Sequence, residues 1–209
     1  MTRPDMRGSK PPDAKGVVLV LHGGGEHGRR PVTWRSSAVL RMWPFARAIE
    51  RAGRGDLAVV RLRNSVFGWN GDDTSPVHDA RWALDVIRSE YPEVPIALVG
   101  HSMGGRVVLR LAGDVGVRAM VGLAPWVHES DEAHGGPGLT ALLMHGSLDR
   151  TTDPRATERM VARMRDRGVD ARYRPVPRSG HAMLMRAPLW HRETAAFVRD
   201  ALLGPGRTS

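Results

Sequence analysis

The 209-residue chain is long enough for one domain with a sizeable core, and its 41% hydrophobic and 25% charged residues are ordinary for a soluble globular protein. It has no cysteine, which excludes disulfides, thiolate metal sites and a cysteine nucleophile. The net charge of +9 is almost all arginine, Lys10 and Lys15 being the only lysines; no basic run is interleaved with aromatics, so the charge reads as solvated surface, not a nucleic-acid site.

Residues 1–15 are polar and proline-bearing and read as a flexible tail, with residues 16–204 as one domain. The first apolar run, residues 17–21, is too short for a signal core or a membrane span, so a cytoplasmic protein with no membrane partner is expected. That run is continuous and rich in valine, as in a strand covered on both faces, and it ends in His22-Gly23-Gly24-Gly25-Glu26-His27-Gly28. This glycine loop lacks the Lys-Ser/Thr ending of a phosphate-binding loop. Met42, Phe45, Ala46 and Ile49 share one helical face, which Pro44 starts or kinks; residues 57–62 are the next strand. Residues 63–74 form a loop, and a helix capped by Ser75, with Pro76 in first position, follows and ends before Pro92.

Residues 96–99 predict a buried strand that meets Gly100-His101-Ser102-Met103-Gly104-Gly105, after which Val107, Val108, Leu111 and Ala112 fall at helical spacing. A serine on so sharp a strand-to-helix turn is strained, and a Cβ at Gly100 or Gly104 would collide with a neighbouring strand or helix. Residues 119–123 and 141–144 predict two more strands. The linker between them is about the length of a loop with one small helix, too short for a large cap. Asp153-Pro154 opens a helix that stops near Gly168, residues 171–173 are a short last strand, and a helix over 188–203 ends at Gly204-Pro205-Gly206. Strand and helix alternate, which predicts an α/β fold: a mostly parallel central sheet with helices on both faces.

Gly100-His101-Ser102-Met103-Gly104 resembles the nucleophile elbow of the α/β-hydrolase superfamily, and His22-Gly23-Gly24-Gly25 resembles the oxyanion loop of its esterases. The resemblance implies an α/β-hydrolase fold with Ser102 as nucleophile, and amides of Met103, Gly24 and Gly25 as oxyanion donors. His22 is then a structural residue that fixes the loop. In that superfamily the chain order is serine, acid, histidine, each after a strand; Ser102, Asp149 and His181 stand in this order. His145-Gly146-x-x-Asp149 resembles the acid loop and Gly180-His181 the histidine loop. Asp153 rivals Asp149 as the acid, although its place before Pro154 is explained by capping; Asp131 is a third choice. His191 falls inside the last helix, and His128 and His134 precede the acid and break the order. His101 and His145, beside motif residues, read as scaffold.

No spacing of histidines and carboxylates suggests a metal site, and no cofactor is implied. The expected chemistry is metal-free acyl transfer to water on a small-molecule ester or thioester, with Trp69 and Trp126 as candidate pocket lining. Small size, the absence of a cap and the acid loop look most like the dienelactone-hydrolase-like and small carboxylesterase branch, but dienelactone hydrolases proper use a cysteine and this chain has none. A thioesterase or acyltransferase with the same triad, and a non-catalytic binding scaffold on the same fold, are the alternatives.

Overall fold

The computed structural model describes residues 3–204. Seven strands form one sheet in the order β1-β3-β2-β4-β5-β6-β7. They are β1 (Asp5–Ser9), β2 (Gly16–Leu21), β3 (Leu57–Arg63), β4 (Ile96–His101), β5 (Val117–Leu123), β6 (Thr140–Gly146) and β7 (Asp170–Val176). All pairings are parallel except that of β1, which runs antiparallel to β3. Among the described residues, six α-helices and a 3-10 turn at Gly71–Asp73 connect them: α1 (Ser37–Arg41), α2 (Trp43–Gly53), α3 (Ser75–Glu90), α4 (Met103–Leu111), α5 (Pro154–Asp166) and α6 (Ala187–Leu203).

Successive strand residues point to opposite faces, and both faces are covered, so the central strands must be apolar throughout. Val18, Val20, Val59, Ala97, Val99 and Val121 pack with α2 and α6 on one face. Leu19, Leu21, Val60, Leu62 and Leu98 pack with α3, α4 and α5 on the other. The parallel strands bring the loops after β2, β3, β4, β5, β6 and β7 to a single rim, where sites of open α/β sheets form. No helix among the described residues is long and apolar enough to cross a membrane.

Several expectations are corrected. The flexible tail over residues 1–15 is instead partly an edge strand: Asp5 to Ser9 pair with Arg63 to Val59, and Asp5 accepts a hydrogen bond from Trp34 Nε1 at 2.8 Å. An edge strand needs pairing on one side only, so a polar segment suffices and its sequence gives no hydrophobic signal. Thr74, not Ser75, is the residue preceding α3, and Ser75 already lies within the helix. Its hydroxyl sits 3.4 Å from Asn70 Nδ2, tying the helix start to the loop before it. The linker between β5 and β6 holds no helix. Pro44 stands in the first turn of α2, where a missing N–H is harmless. At the far end Gly204 follows α6, while Pro205 and Gly206 lie outside the described residues.

Candidate active site

Ser102 sits between β4 and α4 with φ 54° and ψ −115°, a conformation that costs a non-glycine residue energy and persists only where the surroundings enforce it. Three backbone hydrogen bonds do so: Ser102 N–H donates to Leu123 O at 3.0 Å, and Ser102 O accepts from Trp126 N–H at 3.0 Å and Arg106 N–H at 3.1 Å. The turn is tight enough that a Cβ on Gly100 would lie 2.1 Å from Gly104 O, and one on Gly104 would lie 2.6 Å from His22 O. Both glycines are therefore required by close approach, and Ser102 is left at the head of α4.

The acid loop follows β6. Asp149 Oδ2 accepts from His181 Nδ1 at 2.8 Å and from His145 Nε2 at 3.1 Å, while Oδ1 accepts from the N–H groups of Thr151 at 2.8 Å and Thr152 at 3.1 Å. Burial pushes this carboxyl up, but the hydrogen bonds from His145, His181, Thr152 and Thr151 outweigh it and hold the group far below the usual carboxylate range. With Nδ1–H given to Asp149, the bare nitrogen of His181 is Nε2, the atom a general base requires. No hydrogen bond joins Ser102 Oγ to the His181 ring among the described residues; such contacts tighten in substrate complexes.

Sequence reasoning left His101 and His145 as scaffold and missed Thr152; the structure ties all three to Asp149 and His181. His101 Nε2 donates to the His181 carbonyl at 3.0 Å, and the two rings lie 4.8 Å apart. His101 Nδ1 has no partner among the described residues, and burial, followed by the neighbouring His181, lowers this ring to about 3. His145 is fully buried between Asp149 and Thr157, whose Oγ1 lies 2.8 Å from Nδ1. Thr152 Oγ1 lies 3.0 Å from Asp149 Oδ2 and 3.2 Å from His181 Nδ1. A short polar run between acid and helix cap was the available signal for it, though such runs are common.

The glycine loop after β2 closes over the elbow. His22 Nδ1 donates to Gly23 O at 2.6 Å and its Nε2 accepts from Asn64 N–H at 3.1 Å, so the ring is neutral and clamps this loop to the one after β3. Burial lowers His22 to about 4. A Cβ on Gly23 would meet Ser102 Cβ at 3.3 Å, which places the loop directly against the serine. Neither Gly24 nor Met103 has an acceptor for its backbone N–H among the described residues. Gly25 does: its N–H donates to Phe67 O at 3.2 Å, which corrects the expectation that it is a second oxyanion donor. Bridging of this loop to the strand-like segment at Gly68 commits the Gly25 amide.

The other candidates lie elsewhere. Asp153 is exposed and accepts from Arg155 N–H at 2.8 Å, as a helix cap does. Asp131 is buried against Arg106, whose Nε and Nη2 approach it at 2.8 Å, and it also binds Arg110 and His128 N–H. The Arg106 guanidinium lies 4.3 Å from the ring centre of Trp69 and 4.5 Å from that of Trp126. Trp69 is therefore a buried core residue and not pocket lining, because its ring face is covered by that cation. Trp126 is half-buried, and its N–H supports the elbow. His191 packs edge-on to Phe45 at 4.5 Å inside α6.

A family model described as serine aminopeptidase, S33, matches residues 12–141, and one for the prolyl oligopeptidase family matches residues 133–204. Monoglyceride lipase of Mus musculus is 35% identical over 101 residues, which are 48% of this chain and 31% of that lipase. The chain spans no more than about a third of the length of the curated relatives it matches first, at 31% and 26%. Among solved structures, an α/β serine hydrolase without lid from Xanthomonas campestris superposes with a TM-score of 0.68 at 20% identity, covering 95% of this chain and 89% of that one. A butyrate-bound esterase from Thermogutta terrifontis gives 0.72 at 15% identity, covering 99% and 91%. At these identities the structural likeness establishes the fold: an α/β-hydrolase without a cap.

Proposed function

The chain belongs to the serine aminopeptidase S33 family of α/β-hydrolases, and from that premise we propose that it hydrolyses a carboxylic ester through an acyl-enzyme on Ser102. The supporting observation is the Asp149–His181 hydrogen bond of 2.8 Å beside a serine held at φ 54°, with the Gly24 and Met103 amides uncommitted. Relatives named monoglyceride lipase and a structural neighbour named esterase favour esters over other acyl substrates.

His181 Nε2 takes the Ser102 proton as Oγ attacks the ester carbonyl. The tetrahedral oxyanion faces the N–H groups of Met103 and Gly24, donors that need no reorganisation and so act more strongly on the developing charge than water would. His181 returns the proton to the leaving alcohol; a water, deprotonated by the same nitrogen, then cleaves the acyl-enzyme and regenerates Ser102. Asp149 fixes the imidazole tautomer and stabilises its charged form. The nucleophile is a side chain and the base an imidazole, so the proposed reaction calls for no metal.

Hydrolysis of p-nitrophenyl butyrate by the wild type and by Ser102→Ala tests this. The expected result is loss of turnover to the spontaneous rate in the variant, with circular dichroism unchanged. Equal rates in the two proteins across short-chain esters, thioesters and aminoacyl p-nitroanilides would overturn it.

A further inference from the structure

Seven large hydrophobic side chains are exposed among the described residues, and five of them gather at the rim that carries the catalytic loops. Leu148 neighbours Asp149, and Leu184 and Met185 follow His181. Leu40 and Trp43 stand at the junction of α1 and α2, which begins at the same rim because it follows a parallel strand. Hydrogen bonds tie the three segments together: Leu148 N–H donates to Ser179 O at 2.9 Å, and Arg41 Nη1 to Ala182 O at 2.6 Å. Leu184 is 76% exposed and Met185 62%, far more than folding alone would leave on side chains of this size.

Charge on these three segments is one-sided. Arg150, Arg178 and Arg186 are exposed and have no ion pair among the described residues. Some arginines elsewhere are matched, as in Arg88 with Asp85, Arg172 with Asp170 and Arg199 with Asp200. Residues 37–47, 147–150 and 177–186 contain a single carboxylate, Asp149, whose side chain is wholly buried. The exposed Asp153, three residues beyond Arg150, faces Arg159 at 3.5 Å.

We propose that this rim is a docking surface for an anionic lipid bilayer, with Leu184, Met185 and Leu148 entering the headgroup–acyl boundary and the unpaired arginines meeting lipid phosphates. Exposed apolar side chains flanked in the same segments by unpaired cations are what interfacial association requires. A second copy of the chain fits poorly, since a two-fold contact would set these arginines against each other. The sequence argued against a membrane partner only through the lack of a spanning run, and surface docking needs none. The proposal does not depend on the esterase reading.

The test is co-sedimentation of the full chain with phosphatidylcholine vesicles, with and without phosphatidylglycerol, at physiological ionic strength. The wild type and Ser102→Ala are expected to bind the anionic vesicles equally. The double variant Leu184→Ser/Met185→Ser should bind roughly tenfold more weakly or worse, from the loss of two buried apolar side chains. Val115→Ser, at the opposite rim and 81% exposed, serves as the control and should bind like the wild type. Circular dichroism and thermal midpoints check that each variant is folded. Absence of binding to anionic vesicles overturns the proposal. So does binding unchanged by the double variant, which would mark simple attraction of a basic protein, and so does a dimer in light scattering that the double variant dissolves.

Discussion

Two buried carboxylates lie on consecutive loops of the rim, and they differ in their partners, not in their burial. Asp131, after β5, and Asp149, after β6, are both inaccessible side chains. In both, burial pushes the carboxyl up and hydrogen bonds from side chains and backbone pull it lower still. Asp131 faces Arg106 and Arg110, whose charge never leaves in the accessible pH range. Asp149 faces two imidazoles, His181 and His145. A permanent cation makes a fixed strut; an imidazole with a second nitrogen turned away is free to serve the proposed reaction. The Arg106 strut, lying against the rings of both Trp69 and Trp126 one helical turn beyond Ser102, stiffens the elbow.

The contrast is broken most sharply by exchanging one oxygen for nitrogen at each site. Asp149→Asn is expected to lower kcat for ester hydrolysis by roughly 10⁴-fold, since the amide favours the wrong tautomer of His181. Asp131→Asn should act on stability: about 3–5 kcal/mol of unfolding free energy is lost in a denaturant titration, because Arg106 is left buried without its counter-charge. Its kcat should stay much closer to wild type. Equal losses of activity in the two variants would mean that Asp131 is no mere strut.

A third outcome separates the two regions by pH. His101 and His22, which hold the loops around Ser102, have folded-state values of about 3 and about 4 against 6.5 unfolded. Above 6.5 their contribution is complete. As pH falls below it the unfolded chain takes up protons the folded chain refuses, so stability drops by about 1.4 kcal/mol per pH unit for each ring. Thermal midpoints between pH 7 and pH 4.5 should therefore fall steeply, and less steeply for His101→Gln. An unchanged slope in that variant would show that His101 is protonated in the fold.

Much of this was legible in the sequence. The strand-to-helix step at Gly100 to Gly105 exists because glycines alone permit those contacts, so its residues announce it. The order Ser102, Asp149, His181 was implied by the resemblance to the α/β-hydrolase superfamily, since the strand before His181 is not apolar. Pairing across the sequence was not legible. Whether the Gly25 amide is free depends on Phe67, forty-two positions away; whether Trp69 lines a pocket depends on an arginine in α4. Strand β1 gave no signal because a single backbone ladder, not side-chain burial, holds it. Asp131 and Asp149 likewise look alike in one dimension, for nothing local says that one will meet guanidinium and the other imidazole.

Asp153 completes the series as the carboxylate with neither role. It stands four residues after Asp149, is exposed, and accepts only from Arg155 N–H at 2.8 Å and, at 3.5 Å, from Arg159. A cap of this kind satisfies one of the unpaired amides at a helix start, and its removal costs typically about 1 kcal/mol. The pairing with Arg159 is solvent-screened and adds little. Asp153→Ala is therefore expected to lower the thermal midpoint by a few degrees, about 2–4 °C for a chain of this length, and to leave kcat and KM within twofold of wild type. A hundredfold fall in kcat would identify Asp153 as the acid after all and reduce Asp149 to a structural anchor of the loop. The small effect is the informative one, because it shows that proximity to the active loop in sequence confers no share in the chemistry without a histidine to hold.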